Sequence, residues 1–178
     1  LALYGESLGS LAGQGAFGYL PDIVEMGFTS VLWVGPPNQS RLRKAITERR
    51  DPGTPEVQPR YDNGRTVRFA QAASAAEIAA VAAPPWQGTQ VLFLQHASDP
   101  VVWWSPDLLL NEPDWLAEPP GFDRSPAMRW YPVVTFFQLS ADMAGNVTDS
   151  TGAPPGHGHQ YGDQQLDGWV AVAAPDGW

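Results

Sequence analysis

The chain has 178 residues, a formal net charge of −9, 43% hydrophobic and 16% charged residues, and no cysteine. This length and hydrophobic content suit one globular domain that buries a real core, and they argue against two compact domains. Without cysteine the chain has no disulfide framework, no thiolate nucleophile and no cysteine-ligated zinc.

Leu1 to Tyr4 form a short apolar run that ends at Gly5, and from Leu8 apolar residues recur at helical spacing through Leu20. The spacing predicts strand, tight turn, helix, with the chain entered partway along that first strand. Pro21-Asp22 breaks the helical pattern. Thr29 to Val34 is a continuous β-branched and aromatic run closed by Gly35-Pro36-Pro37, as a strand buried on both faces of a parallel sheet requires. A short helix is predicted over about residues 39–48. Residues 36–70 otherwise lack periodicity and read as a lid or insertion loop.

Ala72 to Ala83 is Ala-rich and predicted helical, and Gln90 to Gln95 is a second buried strand followed by the loop His96 to Pro100. Ser105-Pro106 and Ser125-Pro126 each pair an N-cap serine with a proline suited to the first helical turn, the second ahead of a helix expected to reach Met143. Pro154 to His159 is a loop, and Gln164 to Ala174 a final helix. Strands alternating with helices predict an α/β layered sheet, mostly parallel.

From Arg41 to Arg68 eight basic residues face four acids, a local net charge of +4 against −13 for the remainder. The overall acidity argues against a nucleic-acid partner, which needs a basic surface to displace counterions. The basic stretch reads first as a solvated face, and also fits contact with an anionic substrate or with the acidic body of its own protein. No apolar run approaches the ~18 residues of a membrane-crossing helix.

Gly5-Glu6-Ser7-Leu8-Gly9 is G-x-S-x-G between a predicted strand and a predicted helix. In a nucleophile elbow the serine occupies that sharp turn and projects above the carboxyl edge of the sheet. The backbone N–H of Leu8, at a helix start, then becomes an oxyanion donor. A serine nucleophile needs an imidazole, and the imidazole a carboxylate. Asp99 follows the second downstream strand, although an Asp-Pro turn alone would explain it. His157 and His159 lie in the C-terminal Gly/Pro loop, and His157, flanked by two glycines, is favoured as base. His96 reads as a core histidine. His157-x-His159 also has the spacing of two metal ligands, but no third ligand accompanies it, so no metal and no cofactor are expected. Trp103 and Trp104 are candidates for lining an acyl pocket, with edge packing the plainer alternative.

Gly5 to Ser10, Arg49 to Glu56, Tyr61 to Phe69, Gln95 to Leu110 and Pro155 to His159 together resemble the catalytic part of a bacterial α/β-hydrolase family. Its members are predicted membrane proteins with a transmembrane portion ahead of the hydrolase domain. The resemblance spans nearly the whole chain. It implies Ser7 as nucleophile, Asp99 as triad acid and one histidine of Gly156-His157-Gly158-His159 as base. It also implies membrane association of the full-length protein through a preceding portion. Two departures stand out. The strands that usually precede the elbow, with the loop supplying a second oxyanion donor, do not occur in the chain. No confident strand separates Asp99 from His157, as in shorter cutinase-like variants. The function expected is a serine hydrolase of carboxylic, including lipid, esters. Acyl transfer by the same triad, or a non-catalytic binding module, are the alternatives.

Overall fold

A computed structural model describes residues 1–71, 84–147 and 157–173. Among these residues four parallel strands form one sheet in the order β1-β2-β4-β3: β1 Ala2–Glu6, β2 Ser30–Val34, β3 Val67–Ala70 and β4 Gln90–Leu94. The alternation of side chains along each strand divides the core in two. Val31, Trp33, Val67, Phe69, Val91 and Phe93 face α2 (Leu20–Glu25) and α3 (Arg41–Glu48) through Ile23, Leu42 and Ile46, and α1 (Leu8–Ala16) covers Trp33 at Gly13. On the opposite face Leu32, Val34, Leu92 and Leu94 meet Tyr161 and Val172, the latter on the final helix Gln164–Ala173.

Both strands read from continuous apolar runs are present, and nearly all their residues are buried, which is what helices on two faces demand. The helix expected over residues 72–83 lies outside the described residues, as do Pro154 to Gly156.

Of residues 36–70, expected as a lid or insertion, the segments 41–48 and 67–70 belong to the layers, and 49–66 are irregular apart from a 3-10 turn at Asp62–Gly64. Helix α3 packs on the sheet through Leu42 and Ile46, and β3 pairs with β4 along its whole length. Strand β3 hides in the sequence because Arg68 interrupts its apolar residues. Its guanidinium nevertheless lies 3.8 Å from the Trp86 ring centroid and donates to Gly64 O, so the side chain is accommodated by stacking. Part of the basic charge of this segment is paired within the protein, while Arg41, Lys44, Arg49, Arg60 and Arg65 are exposed, as a solvated face requires. Arg50 pairs with Asp114 at 2.7 Å and Glu118 at 3.0 Å, and Arg60 with Asp51 at 3.0 Å.

After β4 the chain forms a third cluster, with α4 (Pro100–Trp103), a 3-10 turn (Pro106–Leu109) and α5 (Asp114–Ala117) packed with α6 (Val134–Val147) around Trp103, Leu108, Trp115 and Leu139. Ser105 caps its turn as expected, accepting from Asp107 N–H at 3.1 Å. Ser125 supports only a local turn, and α6 begins at Val134 rather than beside Pro126. Pro132 is the reason, since it disfavours helical backbone at Tyr131 and lacks an N–H, and Val133 then takes φ 66°. The final helix, α7, spans Gln164–Ala173 and packs on β2 and β4.

Helix α1 approaches the sheet closely at Gly13, where a Cβ would lie 2.5 Å from the fully buried Trp33 ring. Gly15, on the same helix, has open space in its place among the described residues. Gly13→Ala is expected to lower unfolding free energy by about 1–3 kcal/mol through overpacking. Gly15→Ala should be neutral or stabilising by up to about 1 kcal/mol. Urea unfolding of the two variants measures the difference, and equal stabilities would show that Trp33 yields.

Candidate active site

The parallel register sets the site. Glu6 is level with Val34, and Val34 with Leu94, so the chain leaves β1, β2 and β4 at one height of the sheet's carboxyl edge. Ser7 N–H donates to Val34 O at 2.9 Å and Gly35 N–H to Leu94 O at 2.9 Å, extending the ladder one residue beyond the strands. Ser7 then turns at φ 50°, ψ −119° before α1 begins at Leu8. A positive φ in a residue with a side chain is strained, and it aims that side chain out of the turn. Gly5 permits the turn, because a Cβ there would lie 2.7 Å from Gly9 O. Gly9 itself borders open space among the described residues.

Ser7 Oγ lies 2.9 Å from His159 Nε2, and His159 Nδ1 lies 2.7 Å from Asp99 Oδ2. Asp99 is fully buried and its other oxygen accepts from Val101 N–H at 2.8 Å, capping α4. With Nδ1–H donating to Asp99, Nε2 is left to accept from the serine hydroxyl. An unbroken chain of hydrogen bonds thus runs from a buried carboxylate, through an imidazole, to a serine on a strained strand-to-helix turn. The model of the alpha/beta-hydrolase family matches residues 1–178. The chain belongs to the alpha/beta-hydrolase family. No curated protein and no solved structure matches it. The all-parallel sheet between helical layers is consistent with that family and with a hydrolase or related activity.

The imidazole beside Ser7 is that of His159, not the favoured His157. The His157 ring is partly exposed, stacks near Phe122 and has Nδ1 3.7 Å from Asp123 Oδ2. Its glycine neighbours do not present it to Ser7. Gly158 is instead clamped, donating its N–H to Ser98 Oγ at 2.8 Å and accepting from His96 Nδ1 at 2.7 Å. The two rings serve different carboxylates, which is a poor start for a shared metal. Among the described residues no group of three or more His, Asp or Glu is arranged to hold one. His96 is the core histidine expected, fully buried and also 2.8 Å from Gln164 Oε1.

Trp103 and Trp104 are structural in position. Trp103 is buried, and its indole N–H donates to His96 O at 2.9 Å. Trp104 N–H donates to Ser140 Oγ at 2.8 Å. Trp103 borders one cavity of about 260 Å³ with Arg43, Thr47, Glu56 and Trp115, and another of about 200 Å³ with Asp99, Trp115 and Asp123; neither includes Ser7 or His159. Leu8 opens α1, so its N–H has no acceptor within the helix.

Two contributors escaped the sequence reading. Gly35, read only as a strand terminator, takes φ 51°, and a Cβ there would fall 2.8 Å from both His159 Cε1 and Tyr161 Cε2. The Tyr161 hydroxyl donates to Asp99 Oδ2 at 2.7 Å. The signal for Gly35 was its place directly after a buried strand; for Tyr161 it was a lone aromatic two residues beyond a candidate histidine.

No helix of the described residues is long and apolar enough to cross a membrane.

Burial pulls the His159 pKa down, but the hydrogen bond and charge of Asp99, with the charge of Glu6, raise it above the ordinary value. The ring therefore holds its proton more tightly folded than unfolded. The stabilisation linked to that proton is complete below about pH 6.5 and is lost as pH rises through the folded value. The stability difference between the wild type and His159→Gln should accordingly shrink with rising pH. Thermal unfolding across a pH series checks this, and a difference independent of pH would contradict it.

Proposed function

We propose that the chain is the catalytic portion of a serine hydrolase that cleaves a carboxylic ester through an acyl-enzyme. Ser7 Oγ attacks the carbonyl carbon as His159 Nε2 takes its proton, and the oxyanion accepts a hydrogen bond from Leu8 N–H. The ester C–O bond then breaks. His159 returns the proton to the leaving alcohol, and the acyl group stays on Ser7. Water then attacks the acyl carbonyl as His159 takes its proton; the Ser7 Oγ–acyl bond breaks, His159 returns the proton to Ser7 Oγ, and the acid leaves. Asp99 remains ionised throughout and stabilises the imidazolium.

The observation that carries this reading is the Ser7–His159–Asp99 hydrogen-bond chain, with a strained Ser7 at the start of α1. The resemblance to predicted membrane proteins extends the proposal to a membrane-associated full-length protein. Lipid and other acyl esters are therefore the first substrates to try.

A fluorophosphonate probe should label the protein at Ser7, and Ser7→Ala should abolish labelling. Asp99→Asn should slow turnover of a simple ester by roughly 10⁴-fold, through the wrong imidazole tautomer. His159→Ala should be as damaging as losing the serine, because the two act as a unit. His157→Ala should leave the rate within a few-fold. Labelling that survives Ser7→Ala, or a loss as large in His157→Ala as in His159→Ala, would overturn the assignment.

A further inference from the structure

We propose that Tyr161 is a positioning residue that holds the Asp99 carboxylate and sets the basicity of His159, given the roles proposed above for Ser7, His159 and Asp99. The Tyr161 hydroxyl is 2.7 Å from Asp99 Oδ2, the same oxygen that accepts from His159 Nδ1–H at 2.7 Å. It also accepts the backbone N–H of His96 at 3.1 Å. An amide N–H can only donate, so the single phenol hydrogen is left for the carboxylate. Asp99 thus has three donors, with Val101 N–H on Oδ1 at 2.8 Å.

The geometry leaves Tyr161 little freedom. Its side chain is buried, stacked on His96 at 4.1 Å between ring centroids and set edge-on to His159 at 5.9 Å. Gly35 supplies the space for both rings. Burial and the neighbouring Asp99 charge hold the phenol pKa well above its usual value, so the hydroxyl keeps the proton it donates.

A donor to a carboxylate stabilises the charged form and draws off part of the charge that an imidazolium would feel. Tyr161 therefore keeps the His159 pKa below the value that Asp99 alone would impose, so the ring is a free base over a wider pH range. The other charged or titratable groups around this cluster are Glu6 of β1, acting on His159; Asp123, acting on Tyr161; and Arg43 of α3, coupled to both Asp99 and Tyr161. His96 completes the surround through its stacked ring. Tyr161→Phe substitutes none of these residues and keeps the ring that stacks on His96.

The test is the His159 pKa, read by NMR of the ring in the wild type and in Tyr161→Phe. A rise of about one unit is expected, with the acidic limb of fluorophosphonate labelling moving to higher pH by the same amount. A packing role alone would lower the melting temperature and leave both unmoved, and an unmoved pKa in folded Tyr161→Phe overturns the proposal. Should that variant fail to fold because His96 N–H loses its acceptor, 3-fluorotyrosine at position 161 replaces it. Its more acidic phenol donates more strongly and should move the His159 pKa down; no shift, or an upward one, overturns the proposal. The ring titration needs no turnover, so a wild type unlabelled at Ser7 would reject the hydrolase reading while the pKa comparison still decides the role of Tyr161.

Discussion

Parallel pairing brings Glu6, Val34 and Leu94 to one level of the sheet, and the placement of Ser7, Gly35 and the loop carrying Asp99 follows from that register, while His159 and Tyr161 reach it from the loop before α7. The ladder continues one residue past the strands, through Ser7 N–H to Val34 O and Gly35 N–H to Leu94 O. Three of the four strands therefore release a different device at the same height: a serine turn after β1, a left-handed glycine after β2 and an acid loop after β4. A parallel sheet collects the carboxyl ends of its strands along one edge, and open α/β sheets assemble sites there. A one-residue slip of β1 would reverse the faces of Leu3 and Tyr4 and carry Ser7 away from His159.

Asp99 shows how two readings of one residue coexist. As an Asp-Pro turn residue it caps α4 through Oδ1, and as a carboxylate it receives His159 and Tyr161 through Oδ2. A buried charge is tolerated only when its lone pairs are occupied, and three donors meet that demand. The cap also fixes the rotamer: with Oδ1 held by Val101 N–H, Oδ2 points along one direction. Ser98 completes the arrangement one residue earlier. Its hydroxyl bonds Asp123 and accepts Gly158 N–H, which ties the acid loop to the loop that carries His159.

The elements legible in the sequence were those whose local signal matches their tertiary role. Residues 31–34 and 91–94 are apolar throughout because helices cover both faces of the sheet, and the G-x-S-x-G segment carries its own turn. Strand β3 was not legible, since Arg68 looks like a surface residue until Trp86 is placed beneath it. The start of α6 was misjudged because Ser125-Pro126 is a sound helix opening locally, whereas Pro132 acts six residues later. The choice between His157 and His159 depended on partners that spacing does not reveal. Flexible glycines suggested a freely presented His157, yet Gly158 is fixed by Ser98 and His96, and the ring that reaches Asp99 is the one beyond it.

A second buried network links the helix that follows Ser7 to the rest of the core. Gln14 of α1 donates to Ser10 Oγ at 2.8 Å and accepts Arg43 N–H at 2.9 Å; Arg43 Nε donates to Gln95 Oε1 at 2.7 Å, and its guanidinium lies 4.8 Å from the Trp103 ring centroid. Burial lowers the Arg43 pKa to about 10, with the charges of Glu56 and Asp99 opposing the fall, so the group stays charged near neutrality. A buried charge with this few partners contributes little net stability, because desolvation offsets the attraction. Its geometric consequence is larger. Gln14 lies on the helix that begins at the serine turn, Gln95 directly follows β4, and Trp103 lies on the helix that Asp99 caps. One side chain therefore relates the segments carrying Ser7 and Asp99 through directional bonds.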